Sequence, residues 1–323
     1  MKVRRSWLPL VALCLACSAA TAQTSRTPVR IIAGFPPGGN VDILARLLAE
    51  RLSDSLARPV VVENRPGAGG QIGLEVLRAA AADGNTLAVT PDASLIVRPL
   101  TMKTPPYDPV NDFVAVAHTG GQDYAFAIAT GVPAKNLQEF GAWAKGHADG
   151  ANFGSAGQGG ATHFLGLLVG NAIGVPLRQV PYKGSGPAVM ALVAGQISAT
   201  VQPIGTLVAQ AQAGKVRMVA TSGSERASGF PDVPTLAQLG YPALTMSNWF
   251  GVFAPARTPA EVVSRLNGIF IQAMRTPAFR DKLNNLLLEV KELNPEQFAS
   301  LVKTDYERWA PVIKASGFSI DSQ

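Results

Sequence analysis

The chain has 323 residues, of which 47% are hydrophobic and only 15% are charged. This composition and length are typical of a folded protein with a large core and two lobes, and they exclude a disordered or coiled-coil chain. The formal net charge is +6, but three of the positive charges lie in the first five residues, and the remaining excess is too small to suggest a nucleic-acid partner.

The first 22 residues have the pattern of a secretory signal peptide: a basic start, the apolar stretch LPLVALCLACSAA and an A-x-A cleavage motif. The apolar stretch is shorter than the ~20 residues that span a membrane, so we expect cleavage after Ala22 and secretion of the mature chain. Cys17 leaves a lipidated N-terminus as the alternative, although Cys14 stands where a lipoprotein signal usually has an aliphatic residue. Both cysteines of the chain lie in this segment, so we expect no disulfide, thiolate metal site or cysteine nucleophile in the mature protein.

In chain order, strands and helices first alternate. Val29 to Ala33 is an apolar run typical of a buried strand, and Val41 to Leu56 repeats its apolar residues with the period of a helix. A second strand is predicted at Pro59 to Val62, a glycine turn and helix in GAGGQIGLEVLRAAAA, and a third strand at Thr86 to Thr90. Because strand–helix–strand connections are right-handed crossovers, this order predicts a parallel sheet with helices on its faces.

The alternation restarts after an irregular, proline-rich region. We predict strands at Phe113 to Ala117 and at Tyr124 to Ala129, and mainly helix from Pro259 to Ser316. A short apolar run at Trp249 to Ala254 is interpreted as a crossover. Between them we predict helix 137–145, strand 151–155, helix 162–172, strand 177–180, helix 186–194, strand 197–201, helix 204–213 and strand 216–221.

This order of elements predicts two α/β lobes, the second inserted into the first. Two crossing strands near residues 124–129 and 249–254 would form a hinge between them. The first lobe would comprise residues 23–125 plus 252–323, and the second residues 126–251. Ligands of such sheets bind outside the carboxyl ends of the strands, so we expect a ligand cleft between the lobes.

Three loops share one pattern, in which an apolar strand runs into a Gly/Ser/Pro turn and then a helix. They are FPPGGN at residues 35–40, GSAGQGG at 154–160 and YKGSGP at 182–187. The first N–H groups of a helix lack intrahelical partners and lie at the positive end of its dipole, so such turns can bind an anion. We expect Asn40 to cap its helix. The alternative is that each turn is an ordinary connection.

No sequence motif indicates a nucleotide or a catalytic centre. The glycine run from Gly67 to Gly73 has Ile72 where a dinucleotide-binding turn needs glycine, and no Walker motif is present. The histidines His118, His147 and His163 are widely separated, and there is no G-x-S-x-G elbow. We therefore expect no catalytic residue, no metal and no cofactor. Asp42 can equally be a surface charge, and His163 a packed histidine at a helix terminus.

These stretches resemble the Bug (TctC-like) family of periplasmic solute-binding proteins, the receptors of tripartite tricarboxylate transporters. The similarity extends over almost the whole mature chain. Its motifs are FPPGGNVD (35–42), VVVENRPGAGGQIG (60–73), ADGNTL (82–87), PYDPVNDF (106–113), VPYKGSGPAV (180–189), FPDVPTLAQLG (230–240) and NWFGVFAPARTP (248–259).

The resemblance implies an α/β, two-lobed type II periplasmic-binding-protein fold that holds a small carboxylate between its lobes by backbone N–H groups. It implies delivery of that ligand to membrane transporter subunits, by a protein that we expect to be a soluble monomer. A ligand-sensing receptor that docks on a sensor kinase, and less readily a secreted hydrolase, are the alternatives. The predicted ligand-binding residues are Phe35, Pro37, Gly38, Gly39, Asp42, Ser155, Gly157, Thr162, His163, Tyr182, Gly184, Ser185, Gly186 and Gln202.

Two departures from the family pattern affect the expected ligand. Gly160 stands where relatives often have a serine, which removes a hydroxyl group from the second loop. Gln202 stands where they often have an acidic residue, so an amide replaces a carboxylate that could pair with an ammonium group. We therefore expect a ligand without an ammonium group.

Overall fold

The computed structural model of the protein describes residues 27–147, 151–285 and 288–322. The predicted signal peptide, its cleavage position after Ala22 and the alternative lipidation site Cys17 lie outside these residues. Within the described ranges, no helix is both long enough and apolar enough to cross a membrane.

The first part of the sheet is parallel, as predicted. Its elements are β1 (Val29–Ala33), α1 (Asn40–Leu56), β2 (Val60–Asn64), α2 (Gln71–Arg78) and β3 (Thr86–Pro91). The central strand β1 pairs in parallel with β2 on one side and with β3 on the other. Helix α1 packs on this sheet through Leu44, Leu48 and Leu52, which are fully buried, because leucines at this spacing lie on one face of a helix.

The strand that follows corrects the prediction of two short strands. The structure has one 17-residue strand, β4 (Phe113–Ala129). The residues between the two predicted strands belong to the same strand, since Gly120 and Gly121 pair with a neighbouring strand, next to register shifts typical of β-bulges. A Cβ added at Gly121 would lie 2.8 Å from the Asn248 carbonyl oxygen, so glycine here permits close backbone approach rather than a turn.

Alternating elements build the second part of the sheet. They are α3 (Leu137–Lys145), β5 (Asn152–Ser155), α4 (Ala161–Ala172), β6 (Arg178–Pro181), α5 (Ser185–Val193), β7 (Ala199–Pro203), α6 (Val208–Gln212) and β8 (Val216–Thr221). β5 pairs in parallel with β6 and β7, whereas β7 and β8 run antiparallel to the second half of β4. The helix predicted at 204–213 is shorter than expected, since a 3₁₀ turn occupies Ile204–Thr206.

The chain then returns to the first part of the sheet. The apolar run interpreted as a crossover is strand β9 (Ser247–Pro255), which lies between β3 and the first half of β4 and is antiparallel to both. Helices α7 (Ala260–Arg275), α8 (Pro277–Asn285) and α9 (Pro295–Ser316) complete the chain. The resulting strand order is β2-β1-β3-β9-β4-β7-β5-β6, with β8 also paired to β4.

β4 therefore belongs to both parts of the sheet. Residues Phe113–Asp123 pair with β9, and residues Tyr124–Ala129 pair with β7 and β8. Trp249 lies next to this change of partners, with its ring 5.2 Å from that of Phe298. Its indole N–H donates to the Asp305 carboxylate at 2.7 Å, which attaches helix α9 to the junction of the two sheet parts.

Candidate functional site

A cavity of about 740 Å³ lies between the two parts of the molecule. Its wall includes residues from α1 and β3 on one side and from the 156–160 loop and α5 on the other. The residues that line it are Phe35, Gly39, Asn40, Val41, Gly69, Pro91, Ala93, Ser94, Arg98, Thr101, Ala156, Gln158, Gly159, Gly160, Ser185, Asn248, Phe250 and Ile320. Nowhere in the described chain do three or more His, Cys, Asp or Glu side chains group closely enough to hold a metal ion.

Three helices begin at this cavity without a side-chain cap. Glycines occupy the N-cap positions of α1, α4 and α5, at Gly39, Gly160 and Gly184, and none of them can offer a capping side chain. Asn40, predicted to be a cap, is instead the first helical residue, so its side chain cannot bond the N–H groups of the following turn as an N-cap does. The first N–H groups of all three helices thus lack helical partners beside one cavity, which favours an anion there.

The FPPGG turn is held in place by Asp42. One carboxylate oxygen of Asp42 accepts from the Gly38 N–H at 2.9 Å, and the other accepts from the Asn64 side chain at 2.9 Å. The Arg46 guanidinium contacts both oxygens, at 3.0 and 2.9 Å. The hydrogen bonds from Arg46, with those from Gly38 and Asn64, lower the pKa of Asp42 to about 2. Asp42 and the Gly38 N–H are therefore engaged with each other rather than free for a ligand.

Side-chain hydrogen bonds also hold the 155–160 loop in place. The Ser155 hydroxyl donates to the Gly157 carbonyl at 3.0 Å and accepts from Gln179 at 2.7 Å. The Ala156 N–H donates to the Thr162 hydroxyl at 3.0 Å, and the Gly159 N–H donates to Nδ1 of His163 at 3.2 Å. Burial lowers the pKa of His163, which favours the neutral ring that can accept this bond.

The 182–186 loop is tied to the 155–160 loop through the backbone. The Tyr182 N–H donates to the Ser155 carbonyl and the Gly184 N–H to the Ala156 carbonyl, both at 3.0 Å. Gln202 is fully buried nearby, and its amide nitrogen donates to the Thr200 hydroxyl at 3.0 Å. Its side-chain oxygen has no hydrogen-bond partner among the described residues.

The end of β3 contributes a wall that the sequence motifs did not indicate. The buried Asp92 accepts from the Asn248 side-chain amide at 2.6 Å, which orients Asn248 at the cavity. Burial and, to a lesser extent, the charge of Asp305 raise the pKa of Asp92 to about 8. Asp92 is thus largely protonated at neutral pH and adds little negative charge next to an anion site.

Arg98 is the one charged residue in the cavity wall formed by the described residues. It follows a π-helical turn, Ala93–Val97, at the start of a short helix. Its Nε donates to the Gln71 side-chain oxygen at 3.1 Å. Its backbone carbonyl accepts from both the N–H and the hydroxyl of Thr101, so the backbone from which the guanidinium extends is well held.

The C-terminal tail lies against the cavity wall. Phe318 packs edge-on against His163, with ring centroids 5.7 Å apart, and against Phe164 at 5.9 Å. Two residues later, the Ile320 N–H donates to the Thr101 carbonyl at 2.9 Å. The tail therefore contacts both parts of the molecule, and Ile320 itself lines the cavity.

Of the predicted ligand-binding residues, Phe35, Gly39 and Ser185 lie on the cavity wall. The wall formed by the described residues does not include Pro37, Gly38, Asp42, Ser155, Gly157, Thr162, His163, Tyr182, Gly184, Gly186 or Gln202. Sequence reasoning missed Ser94, Arg98 and Asn248. The rule that ligands bind at the carboxyl ends of parallel strands indicates the end of β3 and hence Ser94, and Asn248 begins one of the quoted motifs, whereas no pattern marks Arg98.

A continuous α/β sheet shared by two lobes, with a cavity between them and helix N-termini from both at its wall, defines a two-lobed periplasmic binding protein. The family described as "TctC: Tripartite tricarboxylate transporter family receptor" matches residues 44–318. The chain belongs to this family, which confirms the resemblance found in its motifs.

Individual relatives agree with this assignment. The chain is similar to protein BugT of Bordetella pertussis, with 34% identity over 90% of this chain and 89% of that one. It is also similar to the structure of MatC from Rhodopseudomonas palustris with bound malate, with 31% identity and a TM-score of 0.73 over 88% of this chain and 98% of that one. A second Rhodopseudomonas palustris structure, with adipate, has 28% identity and a TM-score of 0.75 over 90% and 98% of the two chains.

Proposed function

We propose that the protein captures a small organic carboxylate between its lobes in the periplasm and delivers it to a tripartite tricarboxylate-type membrane transporter. The observation that carries this proposal is the meeting of three uncapped helix N-termini, from α1, α4 and α5, at one cavity. Such N-termini favour an anion, and the described residues of the lining add one arginine and no acidic side chain. The relatives solved with malate and adipate bind ligands of this chemical class.

The lobes are proposed to comprise residues 23–125 plus 252–323, and residues 126–251. The change of β4 pairing partners at Tyr124 supports a hinge there. Closure around the ligand would then be a hinge motion in which ligand binding favours the closed state. The mature protein is proposed to begin after Ala22, without lipid at Cys17, and to act as a soluble monomer.

The protein is proposed to bind without catalysing a reaction. The cavity wall formed by the described residues includes Ser94 and Ser185 but no histidine, carboxylate or lysine to activate either hydroxyl as a nucleophile. The proposal includes no cofactor and no metal.

A binding screen with the purified mature protein tests the proposal. Thermal shift and isothermal titration with malate, adipate, citrate and nicotinate, beside aspartate and glutamate, should show stabilisation by carboxylates that lack an ammonium group. Mass spectrometry of ligand released from protein purified under native conditions identifies the natural ligand. Failure of every carboxylate to bind would reject the proposal, and tight binding of an amino acid alone would reject the expectation drawn from Gln202.

A further inference from the structure

We infer that Arg98 receives a second acidic group of the ligand, so that the preferred ligand is a dicarboxylate. This inference rests on the proposed function and adds to it the residue that selects among carboxylates. Among the described residues of the wall, Arg98 is the one ionisable side chain, and the others offer apolar groups, hydroxyls, amides and backbone N–H groups.

The helix N-termini and Arg98 are separate anion-attracting features of the wall. Helices α1, α4 and α5 begin around Gly39, Gly160 and Ser185. Arg98 instead lies beside Gly69 and Gln71, on the connection that follows β3. All of these residues except the Gln71 side chain line one cavity of about 740 Å³, which is far larger than one carboxylate group and has room for a ligand with two.

The guanidinium of Arg98 retains hydrogen-bonding capacity within the protein. One of its five N–H donors is used, by the Nε bond to Gln71 at 3.1 Å. No carboxylate of the described residues lies within ion-pair distance of it, whereas Arg30, Arg46 and Arg275 each contact one. Gly69 presents no side chain towards it: a Cβ added there would lie 3.4 Å from Nη1 of Arg98.

A half-buried guanidinium without a carboxylate partner is suited to bind a ligand carboxylate. Its planar fork forms two parallel hydrogen bonds with the two carboxylate oxygens, and such charge-assisted bonds are stronger than neutral ones. An amide or hydroxyl at the same end of the ligand would leave part of this capacity unused. The arginine therefore favours a diacid over a monoacid of the same length.

The test compares each diacid with its half-amide, which has the same length but one charge fewer. Succinate, glutarate and adipate are titrated beside their monoamides into the wild-type protein and into Arg98→Gln, Arg98→Lys and Arg178→Gln. We expect Arg98→Gln to weaken binding of the best diacid at least 20-fold and of its half-amide less than threefold. Arg98→Lys should restore part of the preference, because it keeps the charge but loses the fork.

The controls separate recognition from folding. Arg178 is exposed on strand β6, away from the cavity, and Arg178→Gln should leave both affinities unchanged. Both Arg98 variants lose the Nε bond to Gln71, so a purely structural effect would weaken diacid and half-amide equally. That result, or a wild-type protein that binds no diacid better than its half-amide, would overturn the inference and leave the proposed function standing. Failure of every acid and half-amide in the panel to bind would overturn both.

Discussion

Replacement of Gly39 by aspartate should weaken ligand binding while leaving the fold intact. Gly39 has φ −83° and ψ 169°, which any L-residue adopts without strain. An added Cβ would have the Pro36 carbonyl oxygen, at 3.9 Å, as its nearest neighbour. Aspartate is also a favourable N-cap next to the helix dipole, so the ligand-free variant should be more stable by about 0.5–1 kcal/mol.

The expected loss of affinity follows from Coulomb's law. Gly39 lines the cavity at the N-terminus of α1, so a ligand carboxylate bound there would lie about 6–8 Å from the new charge. With an effective dielectric constant of about 20, the repulsion is about 2–3 kcal/mol. This corresponds to an increase in Kd of about 30- to 150-fold. Part of the loss would come from competition, because the aspartate would itself accept from the N–H groups of the first turn.

The assay is isothermal titration with the carboxylate that binds the wild-type protein most tightly, together with urea unfolding of the ligand-free variants. Gly39→Asn measures competition for the N–H groups without charge and should cost only a few-fold in affinity. Gly131→Asp is the matched control, because a Cβ at Gly131 meets no neighbour within 4 Å and this residue lies outside the cavity wall.

The affinities of Gly39→Asp and Gly39→Asn decide the question. If aspartate weakens binding no more than asparagine does, the negative charge at position 39 does not repel the ligand. The ligand carboxylate would then bind elsewhere in the cavity. A Gly39→Asp protein that fails to fold would contradict the geometry of the N-cap itself, since neither its dihedral angles nor its surroundings oppose a side chain.

Three further predictions concern the residues that support the site. Asp42→Asn should lower the free energy of unfolding at pH 7 by about 1–2 kcal/mol in urea titrations. Because the native pKa of Asp42 is about 2, this difference from wild type should disappear as the pH falls from about 4 to 2. A difference that stays constant over this pH range would contradict the prediction. The native pKa of Asp92 is about 8, so between about pH 4 and 8 the folded protein keeps a proton that the unfolded chain loses, and wild-type stability falls as the pH rises. Asp92→Asn should remove this part of the dependence of Tm on pH. Curves of Tm against pH that run parallel for the two proteins would refute this. Phe318→Ala removes ring contacts with Phe164 and should weaken ligand binding three- to tenfold by titration calorimetry; an unchanged Kd would show that the tail does not support the cavity.

Local sequence patterns were sufficient for most of the elements. The period of Leu44, Leu48 and Leu52 predicted helix α1, and the structure buries all three. The parallel pairing of β1 with its neighbours followed from the order of strands and helices. These predictions succeed because an amphipathic period and a right-handed crossover depend on residues close together in the chain.

Local patterns were insufficient where residues distant in sequence determine the local conformation. Two separate strands were predicted on either side of Gly120 and Gly121, but the backbone of Phe250 and Trp249 pairs with these glycines and the strand continues. The support of the FPPGG turn likewise depends in part on a distant residue, because the Asn64 side chain, 22 positions away, donates to the Asp42 carboxylate. The local pattern around Gly121 and Asp42 identifies neither Trp249 nor Asn64 as a partner.

The amino-acid sequence by itself determined the α/β class, the family and the three glycine turns at helix N-termini, because each is written in a continuous motif. Only the tertiary structure decided which groups form the cavity wall. It brings Arg98 and Asn248, which are far apart in the chain, to the same cavity as Gly39 and Ser185. The physical reason is that a turn is specified by the dihedral preferences of its own residues, whereas a cavity is specified by the packing of strands whose order in the sheet differs from their order in the chain.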